Sequence, residues 1–300
     1  MIIPSTLKHG DKIYLLSTAR KISLPEIEFA IKTFSDWGLE VVVGKTIGAE
    51  NFQFAGNDEL RTQDFQTALD DENIKAIICC RGGYGTVRII DELDYRKFLK
   101  KPKWICGFSD ITVLHSHLLA VYDCASLHCT MPLCFPGNTI ESIESFRKVL
   151  FGEKLNYEIP SHEKNREGNA NGIICGGNLS LIYNMSGTAS DLNTDGKILF
   201  IEDIDEYLYQ FDRMIQWLRR SGKLENLAGL VVGHLSQMKN LDEANPFGRL
   251  AENIISEAIS FHNYPVMFGF PAGHENDNRA IIIGETATIS VQSSGSSISF

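Results

Sequence analysis

Short apolar runs alternate with stretches of helical periodicity through the first half of this chain. The apolar runs cover residues 12–17, 39–43, 76–80 and 103–106, and the helical stretches cover residues 25–37, 58–69, 87–93 and 111–121. Within the first helical stretch, apolar residues recur at spacings of three and four, namely Ile27, Ala30, Ile31 and Phe34. This β-α-β-α order predicts an α/β fold, with a mostly parallel sheet that helices cover on both faces.

The composition changes near the middle of the chain. Residues 152–171 are polar and charged, and they include a proline at position 160. The full length of 300 residues exceeds what one hydrophobic core usually organises. We therefore predict an α/β domain, a linker and a second domain, at residues 1–151, 152–171 and 172–300.

The second half mixes strand patterns with helical ones. Residues 206–220 and 248–261 carry apolar side chains at helical spacing. Residues 280–300 alternate in the manner of strands around a Ser/Gly turn, which predicts a terminal β-hairpin.

The net charge of -10 disfavours nucleic acid as a partner, because a phosphate backbone would be repelled. The first eleven residues lack the basic and apolar regions of a signal peptide. No apolar stretch approaches the roughly 20 residues that a membrane span needs. We predict a cytoplasmic protein that does not bind membranes.

Seven cysteines, an odd count without a secretory signal, predict free thiols instead of disulfides. One group of residues resembles a metal site in composition: Cys124, His128, Cys129 and Cys134, with His115 and His117 upstream. Its spacing lacks the paired ligands at short fixed intervals that zinc sites use. We interpret these cysteines as small buried side chains beside a helix, and we expect no metal.

Three polar residues with complementary chemistry each follow a run that reads as a strand. Ser109 lies in a sharp turn between a strand and a helix, Glu202 ends the run 198–201, and His274 lies in a Gly/Pro-rich loop. A serine, a histidine and a carboxylate can form a nucleophile, base and orienter relay. Taken singly, each has a simpler role: a serine before a helix is most often an N-cap, and a loop histidine is most often solvated.

A glycine-rich segment, Arg-Gly-Gly-Tyr-Gly-Thr-Val-Arg at residues 81–88, follows another strand. Glycines there let the backbone approach a ligand and point N–H groups at it. A nucleotide-binding loop and a plain tight turn are the alternatives, although the full dinucleotide and P-loop patterns are missing. Because ligands of α/β proteins bind at the carboxyl edge of the sheet, we expect this loop to lie beside Ser109. Arg81 and Arg88 are candidates to bind a substrate carboxylate, unless they are ordinary exposed arginines.

Five segments, in this order along the chain, resemble the LD-carboxypeptidase family of serine peptidases. They are RGGYGTVRIIDELD at 81–94, GFSDIT at 107–112, GGNL at 176–179, LFIEDIDEYLYQFDR at 199–213 and GFPAGH at 269–274. The family includes murein tetrapeptide carboxypeptidases and microcin C self-immunity peptidases, and the resemblance extends over nearly the whole chain. One departure is the sequence Ser17-Thr18-Ala19-Arg20, where relatives often carry an Ala-Pro-Ser-like turn.

The resemblance implies a fold and a site. The fold is a flavodoxin-like parallel-sheet N-terminal domain with a smaller, β-rich swivelling C-terminal domain, and homodimers are usual. The resemblance also implies Ser109 as nucleophile, Glu202 as acid and His274 as general base. It places the oxyanion donors on the backbone N–H groups of Gly83 and Asp110, and it implies no metal or organic cofactor.

The resulting hypothesis is a serine carboxypeptidase that hydrolyses an L,D-peptide bond. It would release C-terminal D-alanine from murein tetrapeptides in cell-wall recycling. One alternative is a microcin C-type immunity peptidase that cleaves peptidyl-nucleotides, an activity that favours an aromatic platform for the base. The second alternative is a non-enzymatic binding protein of the same fold, which the presence of all three relay residues disfavours.

Overall fold

A computed structural model describes all 300 residues, which form two sheets with helices packed against them. Five strands of the first sheet run parallel in the order β2-β1-β3-β4-β5, and a later strand, β11 (Ile281–Ile283), lies antiparallel at the β5 edge. Their bounds are β1 Lys12–Leu16, β2 Glu40–Val43, β3 Ile74–Cys79, β4 Trp104–Gly107 and β5 Ser126–His128. This is the flavodoxin-like order, in which the chain reverses its direction of travel between β1 and β3.

Four helices accompany this sheet: α1 Leu24–Asp36, α2 Asp58–Asp70, α3 Thr112–Tyr122 and α4 Ile140–Leu150. The first begins with a capping box, in which Ser23 and Glu26 satisfy each other's backbone N–H groups. On its inner face Ile27, Ala30 and Phe34 are fully buried. The predicted helical spacing of apolar residues is therefore confirmed, and burial of this apolar face holds α1 against the sheet.

The second sheet has seven strands in the order β10-β9-β8-β7-β12-β13-β6. Their bounds are β6 Asn156–Ile159, β7 Gly168–Asn178, β8 Ile198–Ile204, β9 Gly229–Ser236, β10 Val266–Met267, β12 Thr286–Gln292 and β13 Gly295–Ser299. Strands β7 to β10 are parallel, whereas β12, β13 and β6 pair antiparallel. Three helices belong to this half: α5 Leu179–Asn184, α6 Leu208–Arg220 and α7 Ala251–Ala258.

The two halves share one hydrophobic core. A single cluster of 61 buried residues includes Phe34 and Phe146 from the first half, and Phe200 and Phe270 from the second. A second cluster of 21 residues covers the opposite face of the first sheet. Because the larger core is continuous, residues at the carboxyl edges of both sheets are held in contact with one another.

The predicted strands and most predicted helices of the first half are confirmed within one or two residues at each end. One helix is wrong: residues 87–93 form two 3₁₀ turns, Thr86–Arg88 and Ile90–Glu92. This segment is too short to sustain an α-helix by itself, and tertiary contacts hold its ends.

The polar segment 152–171 contains regular structure. It includes β6 and the first residues of β7, and β6 pairs with β13 at the far end of the chain. Strand β11 adds to the first sheet although it lies between β10 and β12 of the second sheet in sequence. The domain limits at 151 and 172 remain a prediction, while the terminal hairpin β12–β13 is confirmed.

The longest helices contain 13 residues, and no helix has both the length and the apolar character that a bilayer crossing needs.

Candidate active site

Ser109 occupies a strained turn at the carboxyl end of β4. Its φ of 61° lies in the left-handed region, which side chains with a Cβ rarely adopt. Gly107 precedes it with a φ of 150°, and a Cβ there would lie 2.8 Å from Cγ1 of Ile111. A 3₁₀ turn, Ser109–Ile111, then leads into α3. The turn fixes the serine hydroxyl at the edge of the sheet, a form of strain that clusters at functional sites.

His274 connects the serine to a carboxylate. Its Nε2 lies 3.0 Å from Oγ of Ser109, and its Nδ1 lies 2.8 Å from Oε2 of Glu202. With the imidazole proton on Nδ1, that nitrogen donates to Glu202 while Nε2 accepts from the serine hydroxyl. The ring also packs edge-on against Phe108, with centroids 4.8 Å apart. The three residues predicted to form a relay therefore form one hydrogen-bonded chain.

Glu202 is fully buried near the end of β8, and backbone packs closely around it. A Cβ on Gly273, whose φ is 128°, would lie 2.8 Å from Oε2 of Glu202. A Cβ on Gly233 would lie 3.2 Å from Cβ of the same glutamate. Both glycines are needed because no side chain fits between these strands and the acid. The carboxylate is consequently shielded from solvent and fixed in direction.

Two opposing effects act on the imidazole. Burial lowers the pKa of His274, while the charge of Glu202 and its hydrogen bond raise it, and the net pKa lies above its ordinary value.

The adjacent acid, Asp203, is also buried, and burial together with the charge of Glu202 raises the pKa of Asp203 to about 8. Asp203 accepts hydrogen bonds from Nδ2 of Asn178 at 3.0 Å and from the N–H of Ser180 at 3.1 Å. It therefore ties the end of β7 and the start of α5 to β8.

The glycine-rich loop lies directly against the serine, as predicted. A Cβ on Gly82 would lie only 3.4 Å from Oγ of Ser109. The buried carboxylate of Asp110 accepts a hydrogen bond from the backbone N–H of Thr86 at 2.8 Å, which joins the loop to the serine turn. The backbone N–H groups of Gly83 and Asp110 donate no hydrogen bond within the protein. Free N–H groups beside a serine are suited to binding a developing oxyanion.

An arginine that the sequence analysis did not select supports this loop. Arg61 of α2 is buried, and its guanidinium donates to the backbone carbonyls of Thr18 and Gly85. It also pairs with Asp58. The sequence feature that could have indicated this role is the position of Arg61 on the apolar face of α2, four residues before the buried Phe65. A charged residue at such a position is rarely buried unless it is paired.

The two arginines proposed for substrate carboxylate binding both have partners within the protein. Nε of Arg88 lies 3.0 Å from both carboxylate oxygens of Asp58. Nη1 of Arg81 donates to the backbone carbonyl of Lys21 at 2.8 Å. Their role in substrate binding stays a prediction.

The cysteine- and histidine-rich segment is used for packing. Cys124, Cys129 and His128 are buried, and no three His, Cys, Asp or Glu side chains in the chain are grouped to hold a metal ion. His115 is bonded through Nδ1 to the hydroxyl of Ser126 and through Nε2 to the carbonyl of Gly107. Burial lowers the pKa of His115 to about 4, so the ring is neutral near pH 7.

A substitution in the glycine loop tests the free N–H group. Gly83 has a φ of 112°, and a Cβ there would lie 2.6 Å from Cδ of Arg20. The exposed Arg20 side chain can move away, but a residue with a Cβ rarely adopts this φ. We therefore expect Gly83→Ala to displace the loop and to lower kcat by roughly 10²–10³-fold, the effect of losing one oxyanion donor. Steady-state kinetics measures this effect, and Gly187→Ala, at a glycine with nothing within 4 Å, is the control. Unchanged kcat in Gly83→Ala would exclude this loop from the reaction.

The fold and the site together define a class of protein: a serine hydrolase whose relay joins a flavodoxin-like sheet to a second sheet. It differs from α/β-hydrolases, because Ile111 stands where their nucleophile elbow has its last glycine. Residues 13–129 match the LD-carboxypeptidase N-terminal domain, and residues 171–289 match the LD-carboxypeptidase C-terminal domain. The chain belongs to the LD-carboxypeptidase family.

Individual relatives agree with this assignment. A probable murein peptide carboxypeptidase of Bacillus subtilis is 31% identical, over 95% of this chain and 91% of its own. The murein tetrapeptide carboxypeptidase of Pseudomonas aeruginosa is 28% identical, over 93% of this chain and 92% of its own.

Solved structures share the whole fold. The muramoyltetrapeptide carboxypeptidase of Oxalobacter formigenes superposes with a TM-score of 0.86 at 27% identity, covering 96% of this chain and 98% of that one. The microcin C7 self-immunity protein superposes with a TM-score of 0.87 at 20% identity, covering 100% of this chain and 99% of that one. At that identity the second likeness establishes the fold alone.

Proposed function

We propose that this protein hydrolyses the L,D-peptide bond that releases C-terminal D-alanine from murein tetrapeptides. The observation that carries the proposal is the continuous hydrogen-bonded chain from Ser109 through His274 to the buried Glu202. The family assignment and the names of the relatives supply the substrate class.

In the first half of the reaction, Nε2 of His274 takes the proton of Ser109 as Oγ attacks the scissile carbonyl. Glu202 keeps the imidazole in the tautomer with its proton on Nδ1 and stabilises the imidazolium that forms. The N–H groups of Gly83 and Asp110 bind the oxyanion, and each such donor contributes roughly 3–4 kcal/mol. His274 then gives its proton to the departing amine of D-alanine.

The second half of the reaction reverses these roles. Water enters in place of the amine, His274 removes a proton from it, and the resulting hydroxide attacks the acyl-enzyme. Collapse of the second tetrahedral intermediate returns the proton to Oγ of Ser109 and frees the shortened peptide. Every proton passes through the same imidazole nitrogen, which makes the raised pKa of His274 important for the pH dependence.

We further propose that the protein acts in the cytoplasm, as a homodimer, on peptides recovered from the cell wall. The murein peptide carboxypeptidases among the relatives support a substrate derived from the cell wall. Neither nucleic acid nor a membrane surface is proposed as a partner.

Peptidyl-nucleotides are the alternative substrates, and the tryptophans argue against them. Trp104 is buried in β4, and Trp37 packs against Phe34 and Phe146, so neither ring is free to stack on a base. Trp217 lies on α6 and contacts Tyr183. The aromatic ring that packs against His274 of the relay is that of Phe108.

Mass spectrometry of a muropeptide mixture tests the proposed function. Incubation with the protein is expected to remove one terminal D-alanine from tetrapeptides and to leave pentapeptides ending in D-Ala-D-Ala intact. An aminoacyl-nucleotide amide serves as the comparison substrate under the same conditions. Turnover of that amide alone would replace the cell-wall assignment with the nucleotide one.

A further inference from the structure

Arg20 lies on the wall of the site in the one turn that departs from the family pattern. It follows β1, and the glycine loop follows β3, so the two flank the point at which the strand order reverses. Ligands of doubly wound sheets bind at this point. We propose that Arg20 binds the terminal carboxylate of the substrate, an inference that rests on the proposed carboxypeptidase function.

The side chain of Arg20 covers the loop that holds the oxyanion donor. Its Nε lies 2.8 Å, and its Cδ 2.6 Å, from the position that a Cβ on Gly83 would occupy. Gly83 is one residue from Gly82, whose own Cβ position is 3.4 Å from Oγ of Ser109. In a peptide, the terminal carboxylate carbon lies within about 4 Å of the scissile carbonyl carbon. The Arg20 side chain thus packs against the glycine next to the one that faces the serine hydroxyl, on the side of the site where such a carboxylate would lie.

The backbone of Arg20 is fixed, whereas its guanidinium is free. Its N–H donates to the carbonyl of Gly82 at 3.4 Å, and its carbonyl accepts from the hydroxyl of Ser17 at 2.7 Å. A β-bridge to Phe54 holds it from the other side. The exposed guanidinium itself forms no ion pair and no hydrogen bond within the protein.

The neighbouring cations are already paired. Lys21 forms an ion pair with Glu50 at 2.8 Å, Arg88 pairs with Asp58, and Arg81 donates to a backbone carbonyl. Arg20 therefore presents the planar, bidentate donor that matches a carboxylate, with no internal acid competing for it. It acts on specificity, because the carboxylate it binds does not take part in bond cleavage.

Two substrates separate this role from a general effect on the site: a murein tetrapeptide with a free terminal carboxylate, and the same peptide with a terminal amide. For the free acid, we expect Arg20→Ala to lower kcat/KM by about 10- to 100-fold, mainly through KM. For the amide, the variant should match the unaltered protein. Arg20→Lys keeps the positive charge but loses the planar two-donor geometry of the guanidinium. Its kcat/KM on the free acid should therefore lie between those of Arg20→Ala and the unaltered protein.

The control variant is Arg96→Ala, an exposed arginine paired with Asp94, which should preserve the ratio of acid to amide turnover. Arg81→Ala and Arg88→Ala test the two rival arginines that the sequence indicated. Equal losses on acid and amide in Arg20→Ala would assign Arg20 to the reaction centre and overturn the proposal. Unchanged turnover of both substrates in Arg20→Ala would overturn it as well, as would an acid-to-amide ratio that falls only in Arg81→Ala or Arg88→Ala.

Binding separates this inference from the proposed function. If the unaltered protein cleaves neither peptide, calorimetric titration of the Ser109→Ala protein with both peptides still reports on Arg20. Tighter binding of the acid that Arg20→Ala abolishes would support the carboxylate site while the proposed activity fails. Binding of neither peptide would overturn both.

Discussion

Replacing Ser109 by alanine is expected to abolish hydrolysis of the tetrapeptide, with a loss of about 10⁴–10⁶-fold in kcat. The hydroxyl lies 3.0 Å from Nε2 of His274, and alanine supplies no nucleophile in its place. Release of D-alanine, measured at enzyme concentrations high enough to detect the residual rate, gives the size of the effect.

Stability provides the control for this variant. Alanine and serine both place a Cβ in the left-handed conformation at position 109, so the strain is the same in both proteins. We expect the thermal midpoint of Ser109→Ala to be nearly unchanged. Ser109→Gly removes strain of about 1–2 kcal/mol and should be equally inactive without being less stable. A folded Ser109→Ala protein with full activity would rule out the serine mechanism.

Replacing Glu202 by glutamine is expected to have the second-largest effect, a loss of about 10³–10⁴-fold in kcat. The glutamine keeps the shape of the buried side chain but carries no charge. It neither stabilises the imidazolium nor holds the Nδ1–H tautomer, because its amide can donate to Nδ1. The orientation of the imidazole relative to Oγ of Ser109 then no longer favours proton transfer.

The same variant changes the pH dependence in a defined direction. His274 acts as a base only when neutral, so kcat/KM falls as the pH drops through its raised pKa. In Glu202→Gln the largest contributions that raise the pKa of His274 are lost, while burial, which lowers that pKa, remains. The acidic limb of the profile should therefore move to lower pH while the plateau drops.

A neighbouring acid supplies a matched control for Glu202→Gln. Glu275 contributes to the raised pKa of His274 through its charge alone, and its carboxylate is bonded to Ser236 instead. Glu275→Gln should shift the acidic limb slightly in the same direction and keep most of the plateau. An acidic limb that stays in place or moves to higher pH in Glu202→Gln would contradict the assigned role of the glutamate.

Much of the site was predictable because parallel strands end on the same edge of a sheet. Ser109 and the glycine loop both follow strands of the first sheet, and Glu202 lies near the end of a parallel strand of the second. Short apolar runs marked these strands, and the polar residue after each run marked the edge. The resemblance then selected these residues from the other serines, acids and histidines.

Other features depend on partners distant in sequence. Strand β6 has only four residues, and its pairing with β13 spans nearly half of the chain. Strand β11 pairs with the first sheet although its neighbours in sequence, β10 and β12, belong to the second. Arg88 forms an ion pair with Asp58, the first residue of α2. No local pattern encodes such pairings, since the energy that selects them is gained only when the whole chain folds.

The amino-acid sequence alone determined the alternation of strands and helices, the family, and the identity of a serine, a histidine and a glutamate as candidates. These follow from side-chain periodicity and local motifs, which are properties of neighbouring residues. Only the tertiary structure decided the left-handed turn at Ser109, the 2.8 Å and 3.0 Å contacts of His274, and which arginine remains unpaired beside the glycine loop. The physical reason is that hydrogen bonds and burial depend on distances between segments, and those distances exist only after the two sheets share a common core.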